Sequence, residues 1–219
     1  MRKLVLSVAT MSIDGIIAQE NTEFWRRFGP ASMGDDEEYD EYFTDGIRHA
    51  GVHVMGRVTY EAMADTWPYS SDPIAAIMND TPKVVFSRTL TEARWPQARI
   101  ASGNLANELT RLKAEDGGEI VAHGGAHFMQ SLVRTGLVDE YRLCVYPVVV
   151  GRGMALFSGI EHPLGVKVLS SRLFTCGATV VHARPLTADE LAERPVGPDT
   201  GLESQRLRDT ELDAKRAAM

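Results

Sequence analysis

Two short segments place glycine beside hydroxyl or cationic side chains where an apolar run gives way to a helical pattern. They are Met55-Gly56-Arg57-Val58-Thr59 and His123-Gly124-Gly125-Ala126. Glycine lets a ligand approach the backbone closely. A helix starting there points free N–H groups and the positive end of its dipole at that ligand. Two such helix starts at one edge of a parallel sheet would clamp a molecule with more than one phosphate. Arg57 adds a fixed charge and Thr59 a hydroxyl donor. The competing reading is a strand-to-helix turn that needs glycine only for packing. Neither segment is a GxGxxG fingerprint, and no Walker lysine is present. Ser87-Arg88 follows another apolar run. It suits a further phosphate, such as the 2′-phosphate that separates NADP from NAD, or else Arg88 is an exposed turn residue. His123 and His127 flank the second glycine pair and read as core or surface histidines, with His127 alternatively a phosphate neighbour.

The elements that must position these residues follow from periodicity. Leu4–Thr10 reads as a central strand, and Asp14-Gly15 as a turn. Residues 19–34, with Trp25 and Phe28 isolated, read as a loop. Asp35–His49 has acids crowding its first turn and Tyr39, Phe43 and Ile47 on one face, which predicts a helix. Strands follow at Val52–Met55 and Lys83–Ser87, with a helix from Thr59 between them. A helix runs from the Asn104 N-cap to Lys113. Ile120–Ala122 is a buried strand, and the helix after Gly125 closes at Gly136. Asp139–Val150 is a long β-prone segment in which Pro147 marks a bulge or an edge. Val166–Phe174 and Ala178–Arg184 read as a hairpin. Strands alternate with helices first and meander last. The expectation is an α/β fold of three layers, α/β/α, with a mostly parallel central sheet and antiparallel C-terminal edge strands. From Pro185 the character changes, so the organisation expected is a domain over 1–184 and a partly helical or disordered tail over 185–219.

With 219 residues, 44% hydrophobic and 24% charged, the chain has the composition of a globular protein. A net charge of -7 argues against general affinity for nucleic acid or an anionic membrane. Cys144 and Cys176 stand in no metal-ligand spacing, so no metal is expected. No secretory signal or membrane-spanning run is visible. A cytoplasmic protein with free thiols is expected.

Four motifs occur in order: Ser12-Ile13-Asp14-Gly15-Ile16-Ile17-Ala18, Met55-Gly56-Arg57-Val58-Thr59-Tyr60, His123-Gly124-Gly125-Ala126, and Tyr146-Pro147-Val148-Val149-Val150-Gly151-Arg152-Gly153. Over residues 1–184 the chain resembles the dihydrofolate reductase-like superfamily. Its nearest resemblance is to the C-terminal reductase domain of the bifunctional riboflavin-biosynthesis deaminase–reductase. That resemblance implies an eight-stranded sheet with four flanking helices and an NADPH site. Gly56, Arg57 and Thr59 would hold phosphate, Gly124, Gly125 and Ala126 the pyrophosphate, and Ser87 and Arg88 the 2′-phosphate. Ala9, Ile17 and Ala18 would line the nicotinamide, under a mobile loop at 12–18 that excludes water.

The resemblance also implies a carboxylate on the first helix in folate-reducing members. Its counterpart here is Asp40, expected either to enter the cleft or to lie in a solvated charge run. Asp14 would position substrate or shape its loop. The Pro-Trp that precedes this helix in folate enzymes is absent, and so is the deaminase's His-x-Glu with Pro-Cys-x-x-Cys. The resemblance therefore implies a stand-alone NADPH-dependent reductase of a small heterocycle, similar to 5-amino-6-(5-phosphoribosylamino)uracil reductase. The alternatives are a reductase of a pterin or xenobiotic and a non-catalytic nucleotide-binding dimer. By the same resemblance a homodimer is expected.

Overall fold

The computed structural model describes residues 1–18 and 36–195. The loop read at 19–34 and the end of the tail lie outside them. The chain divides into Met1–Pro185 and Leu186–Met219. In the second unit the described part carries one short helix, Ala188–Ala192, closed at its start by a Thr187/Glu190 capping box.

The larger unit is built on one eight-stranded sheet. In chain order its elements are β1 (Leu4–Ser12), β2 (Ile16–Ala18), α1 (Glu37–Arg48), β3 (Ala50–Gly56), α2 (Arg57–Ala64), α3 (Ala75–Asp80), β4 (Lys83–Phe86), β5 (Ala98–Ile100), α4 (Leu105–Ala114), β6 (Glu119–His123), α5 (Ala126–Arg134), β7 (Glu140–Tyr146), β8 (Met154–Ala155), β9 (Val166–Leu173) and β10 (Thr179–Pro185). The strand order is β5-β4-β3-β6-β1-β7-β10-β9. The pairs from β5 to β7 are parallel, and β10 runs antiparallel to both neighbours. This is the mostly parallel sheet with an antiparallel C-terminal edge that the element order predicts. β2 and β8 form a separate two-stranded ribbon.

Side chains alternate across a strand, so the two faces can be read separately. One face is continuously apolar. Leu4, Leu6, Val52, Val54, Val84, Ile120 and Ala122 pack there against Leu109 and Leu112 of α4 and Met129, Leu132 and Val133 of α5. Each such side chain contributes about 1.5–3 kcal/mol on burial. The other face carries two smaller cores. Met55, Tyr60, Met78, Val85 and Trp95 form one, and Cys144, Tyr146, Phe174, Ala178 and Val180 form the other. Tyr39, Tyr42 and Phe43 of α1 cover the second. Between them the same face holds His53, His123, Ser7, Arg142 and His182. That polar strip is where the fold leaves room for a ligand.

Two sequence expectations shift. The long segment from Asp139 stops pairing at Tyr146, and its strand is interior, between β1 and β10. Pro147, which lacks an N–H, therefore lies beyond the end of β7 and marks neither a bulge nor an edge. The three-residue β5 and the six-residue α3 were not foreseen, being too short to show a period. Among the described residues no helix is long and apolar enough to cross a membrane.

Candidate functional site

A cavity of about 580 Å³ opens along the polar strip, within the size range of small-molecule and cofactor sites. β1 and β2 contribute Ala9, Thr10, Ile17 and Ala18. α1 contributes Tyr42, Phe43, Asp45, Gly46 and Ile47. The β6–α5 junction supplies His123, Gly124, Gly125 and Ala126, and the sheet supplies Arg142 and His182. Six of the eleven residues expected around a cofactor thus share one cavity: Ala9, Ile17, Ala18, Gly124, Gly125 and Ala126.

The walls are fixed by local chemistry. α1 begins at Asp36, whose Oδ1 accepts from the Tyr39 amide at 3.1 Å. Its Oδ2 accepts from Thr175 Oγ1 at 2.7 Å and the Cys176 amide at 3.0 Å, tying the helix to the β9–β10 turn. Those donors, with the Cys176 amide first among them, pull the Asp36 carboxyl down to about 2. The opposite wall is held by Asp14. Its Oδ1 accepts from Ser12 Oγ at 2.6 Å and the Val150 amide at 3.1 Å, and its Oδ2 from the Gly151 amide at 2.7 Å. The Ser12 hydroxyl and then the two amides lower this carboxyl to about 2. Asp14 does not line the cavity. It clasps the loop before β2 to the loop after β7.

The two glycine junctions are one interlocked structure. Thr59 Oγ1 accepts from the Gly125 amide at 2.9 Å. Gly124 has φ +87, and a Cβ there would fall 2.0 Å from Thr59 Oγ1. A Cβ on Gly56 would lie 3.3 Å from Phe128 Cβ, so Gly56 lets α5 pack against the start of α2. Gly56, Arg57 and Thr59 do not line the cavity. Arg57 donates to Glu61 Oε2 at 2.8 Å on an exposed helix face. Such a pair is worth at most about 1 kcal/mol and is easily exchanged for a ligand. Ser87 Oγ accepts from the Thr89 and Leu90 amides, forming a turn. Arg88 is exposed and has no hydrogen bond or ion pair with another described residue. Neither lines the cavity.

Of the two places expected for Asp40, the structure shows the solvated charge run and not the cleft. Asp40 is exposed and outside the cavity lining. At roughly 100° per residue it sits about 120° around the helix from Gly46, which does line it. Asp45 is the α1 carboxylate at the cavity. It also sits 3.5 Å from His49 Nδ1.

Sequence reasoning missed the polar floor. Arg142 Nη2 donates to Glu119 Oε1 at 2.8 Å and lies 3.9 Å from Glu140 Oε2. Glu140 also pairs with Lys3 at 2.6 Å and His182 at 2.8 Å. Burial alone would raise the Glu140 carboxyl, but the Lys3 and His182 bonds outweigh it and hold it below its ordinary value. Deeper in, His123 Nε2 and His53 Nδ1 lie 2.8 Å apart. Burial, with His123 and Lys83 adding to it, drives His53 down to about 2, and burial lowers His123 to about 4. The missed signal was a polar residue inside an apolar strand, as in Val52-His53-Val54 and Tyr141-Arg142-Leu143, since a buried polar group is the informative exception.

Chemically, the cavity offers glycine backbone for close approach, an apolar wall at Ala9, Ile17 and Ala18 for a flat ring, the Asp45 carboxylate on α1, and polar side chains at His123, Arg142 and His182 on its floor. The Bacillus subtilis (strain 168) protein YyaP, which is uncharacterized, is 30% identical over 186 residues, spanning 82% of this chain and 93% of its own. A protein from Shewanella sp. PV-4 named for riboflavin biosynthesis has the same fold, with a TM-score of 0.65 at 22% identity over 85% of this chain and 100% of its own. Dihydrofolate reductase from Enterococcus faecalis, solved with NADP(H) bound, superposes with a TM-score of 0.54 at 13% identity over 84% of this chain and 97% of its own. The fold is therefore dihydrofolate reductase-like. The family model described as the RibD C-terminal domain matches residues 3–180, and the chain belongs to that family.

Proposed function

We propose that the protein is an NADPH-dependent reductase of a small heterocyclic substrate, resembling 5-amino-6-(5-phosphoribosylamino)uracil reductase. One observation carries this reading. The residues expected at the nicotinamide and those expected at the pyrophosphate line the same cavity, and a polar floor lies beside them. The cradle suits the cofactor: Gly124 and Gly125 are exposed at the start of α5, and beyond the Gly125 amide, which Thr59 engages, the Ala126 and His127 amides in the first turn of α5 have no intrahelical partner and can meet an anion. When bound, NADPH supplies the hydride. The chain's own residues seat and orient the ring against Ala9, Ile17 and Ala18, and the loop clasped by Asp14 keeps water away. Arg88 takes the 2′-phosphate, and Arg142 with Asp45 orients the substrate. The reading includes a cytoplasmic location, with Cys144 and Cys176 both free.

A second reading is favoured by Asp45 and by the pairing of Arg142 with Glu119. Neither suits a phosphorylated substrate, so a pterin or xenobiotic stands as the alternative on the same site.

The test is a fluorescence titration with NADPH and NADH. NADPH is expected to bind at sub-millimolar concentration, and Arg88→Ala to weaken NADPH more than NADH. If neither nucleotide binds, the reading fails. Turnover of the ribosylamino-pyrimidine against a pterin then separates the two substrates.

A further inference from the structure

The imidazole pair under the cofactor cradle can share its proton in only two ways. His123 Nε2 and His53 Nδ1 are 2.8 Å apart, so one nitrogen carries the hydrogen and the other a lone pair. If His123 Nε2 donates, both rings are Nε2–H. If His53 Nδ1 donates, both rings are Nδ1–H. His53 is fully buried, and its Nε2 finds no hydrogen-bond partner among the described residues. In the first arrangement that orphan is an N–H. In the second it is a bare nitrogen. Among buried backbone groups an N–H without a partner is rarer than an acceptor without one, and the same asymmetry favours the second arrangement.

A second observation points the same way. Lys83 is paired with His53 across β3 and β4. Its ammonium is a donor only, spent on the carbonyls of Asn79 at 2.6 Å and Pro96 at 3.0 Å. Its charge opposes positive hydrogen on the His53 ring and favours a lone pair there. The remaining nitrogen, His123 Nδ1, has no partner among the described residues and is not among the buried unpartnered atoms. His123 itself lines the cavity, immediately before Gly124.

We infer that His53 is a positioning residue that locks His123 in the Nδ1–H tautomer, and that this N–H is a fixed donor to an oxygen of the ligand seated at Gly124–Ala126. The second half rests on the reading that NADPH occupies the cavity. The neutral donor adds orientation without adding charge. It also offsets the loss of the Gly125 amide, which is spent on Thr59.

Long-range proton–nitrogen correlation spectra of histidine-labelled protein at neutral pH test the lock without any ligand. Both imidazoles are expected with a protonated Nδ1 and a bare Nε2. Finding both as Nε2–H overturns the inference. In His53→Leu, His123 is expected to leave the fixed Nδ1–H form, and an unchanged His123 spectrum removes His53 from its role. For the donor, His123→Asn sets an amide N–H near the Nδ1 position and should keep NADPH affinity, whereas His123→Leu should weaken it roughly three- to tenfold. Equal affinity in the two variants refutes the donor. Failure of the wild type to bind NADPH refutes the cofactor reading and the donor together, while the tautomer result is decided by its own spectrum.

Discussion

Thr59 Oγ1 accepts a hydrogen bond from the Gly125 amide at 2.9 Å, joining two glycine junctions 66 residues apart in sequence. The amide that an anion would meet first at α5 is thereby engaged. Gly124 makes the contact possible. Its φ of +87 suits glycine, and a Cβ would fall 2.0 Å from Thr59 Oγ1 and 2.2 Å from its Cγ2.

Gly124→Ala is therefore expected to destabilise the protein by about 2 kcal/mol or more, combining left-handed backbone strain with the clash. The midpoint of urea unfolding should fall with an unchanged slope. Adding Thr59→Gly should recover only part of the loss, because it relieves the clash and leaves the strain. An alanine variant as stable as the wild type would show that this contact does not constrain the junction.

Much of this was legible in the chain, and the limits have physical causes. The alternation of apolar strands with helices gave the parallel body, because each of those elements is long enough to show its period. β5 and β2, three residues each, are shorter than any such signal. The glycines at 56 and 124 were visible as glycines, but Gly56 faces Phe128 while Gly124 faces both the cavity and Thr59. No one-dimensional pattern separates a packing glycine from a ligand glycine. Asp40 against Asp45 was a question of helical phase relative to a wall that only tertiary packing defines. His53 and Arg142 did carry a signal, as polar residues within apolar runs.

The Asp14 clasp makes a prediction about pH. The Ser12 hydroxyl and the Gly151 and Val150 amides hold the folded carboxyl down at about 2, below the ordinary aspartate range. Its contribution is therefore complete above the ordinary carboxylate range and is lost as pH falls toward 2. The Gly151 amide, 2.7 Å from Asp14 Oδ2, should report that titration in its NMR chemical shift, with a midpoint near 2. Asp14→Asn should abolish the titration and weaken the putting-together of the two loops at neutral pH, seen as faster amide exchange at Val150 and Gly151. A midpoint at the ordinary aspartate value would mean that the clasp does not hold in solution.

The sheet edge bears on assembly. All eight residues of β9 are exposed, including Val168 at 56% and Leu173 at 71%. Edge strands with free backbone groups and apolar side chains are templates for pairing and are usually protected. We propose that this edge is where a second copy of the chain would dock to give the homodimer expected from the family resemblance. Sedimentation should give a dimer, and Val168→Lys with Leu173→Lys should give a folded monomer with an unchanged circular dichroism spectrum. A wild type that sediments as a monomer at every concentration rules out this interface.

Arg142 tests the substrate end of the cavity. Its side chain is 17% exposed and donates to Glu119, whose other oxygen, Oε2, is buried without a partner among the described residues. Removing the arginine alone strands that carboxylate, and breaking a buried pair in this way costs about 3–5 kcal/mol, less where solvent reaches it. Arg142→Met by itself would confuse folding with binding. Arg142→Met combined with Glu119→Gln removes both charges and should remain folded. Arg142→Lys keeps the charge but loses the planar fork. Both variants are expected to bind NADPH as the wild type does, since the cradle at Gly124–Ala126 is untouched. Both should raise KM for the heterocycle, by roughly tenfold for the double variant, the equivalent of one charge-assisted hydrogen bond. An unchanged KM would move the substrate away from Arg142, whereas a parallel loss of NADPH affinity would place the cofactor, not the substrate, over the polar floor.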